Sequence, residues 1–196
     1  MSAPNLFILE IKLLHTTPTV WRLVEVAPRM SLLELHAVIQ VAMKWQSSHL
    51  FQFEVMKDGK KELYGCPDFD IDEEELLLDA KKVKLTDFLL AEGDSIRYVY
   101  DFGDYWEHEV ILRGYTQTES TWTYPRCLAG AMACPPEDVG GPPGYSILKQ
   151  AILSKKKAEI REYDEWLGYR FDPYEYKNYF WMGMSTYVKR TMKLYG

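Results

Sequence analysis

Two polar stretches of this 196-residue chain hold side chains that could do chemistry. The first, YDFGDYWEH at 100–108, contains two aspartates and a histidine, and the second, CPPEDVGGPPGY at 134–145, contains an adjacent glutamate and aspartate. Carboxylates and an imidazole together can hold a divalent cation or move a proton. The candidate residues for a binding or structural cluster are Asp101, Asp104, Trp106, His108, Glu137 and Asp138.

The first stretch lies on a β-hairpin that the sequence predicts over 95–113. Alternation along its second strand places His108 beside Trp106 in an otherwise apolar row, which is typical of a buried core histidine. The alternative is that Asp101 and Asp104, at the bend, reach His108 and fix its tautomer, as a carboxylate does beside a catalytic or metal-bound imidazole. Turn chemistry accounts for one of the two aspartates.

The second stretch is a loop that prolines stiffen and glycines allow to turn tightly. Glu137 and Asp138 on such a loop could bind a hard cation or accept a proton. They could equally cap backbone N–H groups or pair with an arginine. Cys127 and Cys134 are separated by six residues, against the roughly two to four of common zinc motifs, so these cysteines and His108 are only weak metal candidates. A divalent metal is the one cofactor that these residues suggest.

The composition limits the partners that we expect. The net charge is −6 and the pI is near 5.3, which disfavours non-specific binding to duplex nucleic acid and gives no attraction to an anionic membrane. No apolar run reaches the roughly 20 residues of a membrane span. Three cysteines are too few for a secreted disulfide scaffold. We therefore expect a cytoplasmic protein with an unknown protein or small ligand as its partner.

The order of predicted elements indicates an α+β fold in one domain, 1–196. Residues 1–113 are expected to form a β-grasp-like mixed sheet packed on one main helix, 114–145 a long ordered loop, and 146–196 a helical extension. The predicted strands are 6–14, 19–26, 50–56, 61–64, 95–101 and 105–113; the main helix is 32–45, and a further helix begins at Asp172–Pro173.

Both motifs also carry a resemblance. With PTVWR at 18–22, the segment from Trp45 to Phe53, PRCLAGAMACPPEDVGGPPGY at 125–145 and FDPYEY at 171–176, the chain resembles the plasmid pRiA4b ORF-3-like family over nearly its whole length. The resemblance implies an uncharacterised function with a link to plasmids and mobile elements. In the family's pattern a third cysteine stands where this chain has Val139, and its absence weakens a shared zinc role.

Three hypotheses of function follow. The first is a non-catalytic binding module, because the chain lacks a nucleophile elbow, a P-loop, a dinucleotide-binding fingerprint and an HExxH helix, and 14% of its residues are aromatic. The alternative is a metal-assisted hydrolase or nuclease that uses the Asp/His/Glu cluster. The third is that the cluster only locks the loop to the sheet, with His108 as a buried hydrogen-bonded hub.

Overall fold

The computed structural model describes residues 5–57, 59–67, 77–117, 124–175 and 184–195. Its centre is one eight-stranded sheet with the strand order β5-β4-β3-β6-β7-β1-β2-β8. Neighbouring strands are antiparallel except β4 and β5, which are parallel, so the sheet is mixed. The strands are β1 (Asn5–Leu13), β2 (Val20–Val26), β3 (Phe51–Lys57), β4 (Lys60–Gly65), β5 (Leu77–Asp79), β6 (Ser95–Tyr100), β7 (Trp106–Gln117) and β8 (Arg126–Ala131).

The main helix, α1 (Leu32–Met43), begins where the sequence predicts. The Ser31 hydroxyl accepts a hydrogen bond from Glu34 N, and the Glu34 carboxylate accepts one from Ser31 N, which completes the capping box. Lys44 adopts a left-handed conformation and ends the helix. Ten of its twelve residues are buried, because α1 packs between the sheet and a C-terminal helix, α4 (Met184–Met192).

The predicted loop at 114–145 is partly a strand. β7 continues to Gln117, and β8 pairs with β2, while residues 118–123 lie outside the described ranges. Helix α2 (Gly141–Leu153) also starts earlier than Ser146, since prolines are tolerated in a first turn, where backbone N–H groups have no partner within the helix. The connection that remains between β8 and α2 is short.

The C-terminal third contains several helices, as predicted. Helix α3 (Lys157–Leu167) follows α2, and α4 comes last. Asp172 and Pro173 form a turn in which the Asp172 carboxylate accepts from Tyr174 N. The helix predicted to begin there falls largely on 176–183, which lie outside the described residues.

The predicted α+β class is confirmed, whereas its β-grasp-like form and the single-domain boundary stay predictions. A 3-10 turn (Leu85–Asp87) lies between β5 and β6. None of the described helices has the length and apolar character needed to cross a membrane.

Candidate functional site

Arg22, on β2, sets the position of the chain that follows β8. The residue is 2% exposed, and its guanidinium donates to four backbone oxygens, those of Trp21 at 2.7 Å, Ala42 at 3.2 Å, Ala131 at 2.9 Å and Met132 at 2.9 Å. Charge-assisted hydrogen bonds of this kind are stronger than neutral ones, and a buried guanidinium needs them. The end of β8 is therefore fixed against the end of α1, and the acidic loop starts from a rigid base.

The hairpin bend and the acidic loop meet at Asp104. Its Oδ2 atom accepts a hydrogen bond from Gly140 N at 3.2 Å. Gly141 lies directly against the Asp104 backbone oxygen with φ +65°, so a Cβ atom at this position would overlap that oxygen. Glycine is required here for both the conformation and the close approach.

Glu137 ties the loop to the sheet and to the segment after α1. One carboxylate oxygen accepts from the Tyr100 hydroxyl at 2.6 Å and the other from Gln46 N at 3.0 Å. Burial, assisted by the Glu137 carboxylate, holds the pKa of Tyr100 well above its usual value, so the phenol stays protonated and donates. The predicted option that Glu137 or Asp138 caps a backbone N–H group thus describes Glu137.

Asp101 and Asp138 face the imidazole of His49, a residue that sequence reasoning did not select. His49 Nε2 lies 3.2 Å from Asp138 Oδ1 and 3.7 Å from Asp101 Oδ2. Across the described ranges, these three residues are the one group of histidine, cysteine or acidic side chains placed to hold a metal ion. His49 lies in the segment between Trp45 and Phe53 that contributes to the family resemblance, and this was the available signal.

His108 does not contact Asp101 or Asp104, so the alternative in which these aspartates fix its tautomer is wrong. The residue is fully buried, and its Nδ1 atom lies 3.1 Å from the Trp106 backbone oxygen. Burial lowers the pKa of His108 to about 3, so the ring is neutral. Asp101 instead accepts from Gly103 N at 3.0 Å with its Oδ1 atom. His108 is a core residue on β7, in the apolar row that alternation predicts.

Trp106 is also fully buried, with its ring centroid 5.8 Å from that of Trp45. Trp45 in turn stacks on Tyr100 at 5.0 Å and donates from Nε1 to the Pro135 oxygen at 2.9 Å. Trp106 therefore supports the site through Trp45 and has no solvent-exposed surface of its own.

The cysteines are packed away from this group. Cys127 and Cys134 are both buried, and the Cys134 sulfur lies 2.8 Å from the Arg22 guanidinium and 3.4 Å from the Met43 sulfur. Burial raises the pKa of the Cys134 thiol, although Arg22 acts in the opposite direction. A protonated thiol is a poor metal ligand. The third cysteine, Cys66, is partly exposed and does not belong to the group of His49, Asp101 and Asp138, and no disulfide forms.

Two clefts flank these residues. The first, of about 500 Å³, lies beside His49 and Asp101; we call it the His49 cleft, and its lining also includes Phe51, Cys66, Phe102 and Tyr195. The second, of about 630 Å³, is lined by Asp138 and lies between residues 133–138 and 166–172. Ser48 borders both clefts.

Comparison with known proteins places this chain in a family, and the match includes both polar stretches. The family model for plasmid pRiA4b ORF-3-like proteins matches residues 5–178. The chain belongs to the pRiA4b ORF-3-like family. An uncharacterised member, y4hQ of Sinorhizobium fredii, is 36% identical over 161 residues, which are 82% of this chain and 79% of that protein.

A crystal structure supports the assignment to the pRiA4b ORF-3-like family. MM3350 of Methanosarcina mazei Go1, a protein of unknown function, has 32% sequence identity and a TM-score of 0.78. The similarity covers 89% of this chain and 94% of MM3350. Family membership, as expected from the resemblance, is therefore confirmed, and it brings no established activity with it.

Proposed function

We propose that this pRiA4b ORF-3-like protein is a non-catalytic module that binds a small ligand in the His49 cleft. One observation carries the proposal. Residues 101–103 of the hairpin bend line this concave space, and Asp138 of the acidic loop, distant in sequence, contacts His49 at its rim. Small-ligand sites are typically preformed clefts of about 300–1,000 Å³ with a few placed polar groups, and the His49 cleft falls in this range at about 500 Å³.

The rim of the cleft is rigid before any ligand arrives. The Asp104–Gly140 hydrogen bond joins the bend to the loop, and Glu137 joins the loop to Gln46 and Tyr100. A site that is already ordered loses little conformational entropy on binding. The third hypothesis, in which the polar cluster locks the loop to the sheet, is thus compatible with a binding site. The atoms that lock the loop are not the carboxylate atoms that face His49.

The lining suits a ligand with both an apolar and a polar part. Phe51 and Phe102 supply apolar surface, whereas His49 and Asp101 supply polar groups at one edge. The Phe51 ring is fixed from below, since it stacks on His36 with ring centroids 3.7 Å apart. A ligand would place its ring or alkyl part on this wall and its polar part towards His49.

A cleft-filling variant tests the proposal. Ser48→Trp should occlude the cleft, whereas Ser154→Trp, at an exposed position after α2, is the matched control. The probes are a panel of nucleotides, amino acids, dicarboxylic acids and polyamines, measured by thermal shift and by ligand-observed NMR. We expect at least one compound to bind the wild-type chain and the control but not Ser48→Trp.

Failure has two forms. If no compound of the panel binds the wild-type chain, or if Ser48→Trp binds as the wild type does, the His49 cleft is not the ligand site.

The link to plasmids and mobile elements stays a prediction, and so does the cytoplasmic location.

A further inference from the structure

We infer that His49, Asp101 and Asp138 form a binding site for a divalent cation at the rim of the His49 cleft. The ion would give an organic ligand a positive anchor that the proposed function does not require. Either could therefore be correct without the other. The three residues come from three separate segments: the connection after α1, the bend between β6 and β7, and the loop before α2.

Asp101 is held with one carboxylate oxygen directed at His49. Its backbone N donates to the Leu50 oxygen at 2.8 Å, and its backbone oxygen accepts from Tyr105 N at 2.6 Å. Its Oδ1 atom accepts from Gly103 N, which leaves Oδ2 as the oxygen nearer to His49. The side chain is only 12% exposed, so a carboxylate is held at a nearly buried point that requires a positive partner.

Asp138 approaches from the solvent side. Its side chain is 69% exposed, and its Oδ1 atom lies 3.2 Å from His49 Nε2. The neighbouring Glu137 is fixed at both oxygens, and Gly140 is fixed by Asp104. The loop thus presents Asp138 from a rigid backbone, although its own side chain is free to adjust around an ion.

His49 supplies an independent observation that points to a ligand. Its Nε2 atom is screened from solvent and makes no hydrogen bond with any described residue, despite the two nearby carboxylates. The ring packs edge-on against Tyr100, with centroids 5.8 Å apart. A buried imidazole nitrogen without a hydrogen bond is unfavourable, and coordination of a cation by its lone pair removes that penalty.

The spacing suits coordination. One ligand atom from each residue can be chosen so that all three lie within 4.8 Å of one another. Metal–nitrogen and metal–oxygen distances of about 2.0–2.2 Å put adjacent ligands roughly 3 Å apart, so small side-chain shifts suffice. One imidazole and two carboxylates, without a thiolate, favour Mn²⁺, Fe²⁺ or Zn²⁺ and leave further coordination positions for water or ligand oxygens.

Another histidine–carboxylate pair shows the contrast and supplies a control. His15 Nε2 lies 3.1 Å from Glu107 Oε2 and forms a hydrogen bond with it, on a side chain that is 63% exposed. In that pair an exposed imidazole contacts a single carboxylate, and its Nε2 atom has a hydrogen-bond partner. His15→Ala therefore removes a histidine next to an acid without touching the inferred site.

The test uses the full chain, stripped with a chelator and then dialysed. Mn²⁺ binding is measured by electron paramagnetic resonance and Zn²⁺ binding by calorimetry. We expect one ion per chain, and we expect His49→Ala and Asp138→Asn each to weaken binding by about tenfold or more. His15→Ala should bind as the wild type does. Asp138 is exposed, so its substitution leaves folding intact and keeps the test decisive.

Two results would overturn the inference: no Mn²⁺ or Zn²⁺ binding by the wild-type chain up to about 1 mM, a very weak affinity, or unchanged binding by both site variants. Either result would leave the group as a contact between His49 and two carboxylates that holds no ion. The panel of organic probes in metal-free buffer separately tests the proposed function, so the two failures are distinguishable.

Discussion

Burial decides what each imidazole of this protein can do. His108 is enclosed by aromatic rings, with centroids of Trp45 and Tyr98 5.4 and 5.3 Å away, and burial lowers its pKa to about 3. His49 is 30% exposed and borders a cleft. The His108 ring is neutral and packs in the core, whereas the His49 ring faces two carboxylates and can contact a ligand. The hydrolase or nuclease alternative stays a prediction, with His49 as the histidine that faces the carboxylates.

Tyr100→Phe tests the brace at the residue scale. Because the Tyr100 hydroxyl donates to the Glu137 carboxylate, its removal should lower the free energy of unfolding by about 1.5–3 kcal/mol. The matched control is Tyr64→Phe, whose hydroxyl donates to Glu62, two residues away in the sequence. Urea unfolding of both variants is the measurement. A loss for Tyr64→Phe that equals the loss for Tyr100→Phe would contradict a brace between separate segments.

The residue types of the two polar stretches predicted the carboxylates of the site but did not predict His49, the histidine that two of them face. Asp101, Asp104, Glu137 and Asp138 stand in glycine- and proline-rich stretches, where a rigid polar loop is readable from sequence. His49 has no such context, since a serine pair and a strand flank it. Its proximity to Asp138 depends on how α1, the bend and the loop fold together, which no local pattern records.

At the element scale, local signals succeeded where they were strong. The capping box located the start of α1, and alternation located the hairpin of β6 and β7. Strand β8 was missed because its sequence, RCLAGA, is rich in small residues and has no clear alternation. It becomes a strand by pairing with β2, so a tertiary contact overrides a weak local preference.

Gly141→Ala tests the junction of the bend and α2. A methyl group there would overlap the Asp104 backbone oxygen, so the loop must shift, and we expect an overpacking loss of about 1–3 kcal/mol beyond the conformational strain. Gly168→Ala is the control, because Gly168 has a similar φ of +74° but nothing within 4 Å of the added atom. Thermal unfolding compares the two.

Equal destabilisation of the two glycine variants would show that only backbone conformation matters at Gly141. The inferred cation site gives a second measurement on the same pair. A shifted loop should weaken Mn²⁺ binding in Gly141→Ala and leave it unchanged in Gly168→Ala.

At the scale of the whole molecule, His36 joins three distant parts of the chain. On α1, it contacts the Tyr98 hydroxyl of β6 through Nδ1 at 2.7 Å and the Tyr195 hydroxyl, after α4, through Nε2 at 2.8 Å. The residue is fully buried, and burial lowers its pKa to about 3. The Phe51 ring stacks on His36 and also lines the His49 cleft, so it connects this network to the cleft.

These two buried histidines predict a pH dependence of stability. The pKa values of His36 and His108 are about 3 in the folded chain, below their ordinary value of 6.5, so the unfolded chain binds more protons between these values. Stability should be fully present above pH 6.5 and fall as the pH falls towards 3, with a limiting slope of about 1.4 kcal/mol per pH unit for each histidine.

Urea unfolding from about pH 6.5 to 5, above the ordinary range of carboxyl groups, isolates this effect. His108→Gln should reduce the slope by about half, because one of the two buried imidazoles is then absent. A free energy of unfolding that does not change over this range would contradict neutral burial of both rings.

The three cysteines differ in burial, so one native thiol can be labelled selectively. Cys127 and Cys134 are buried, whereas Cys66 is partly exposed and lines the His49 cleft. A maleimide fluorophore should therefore label Cys66 first, at a point where an occupant would shield the sulfur. The alkylation rate of one native thiol can then report occupancy of the cleft without an engineered probe.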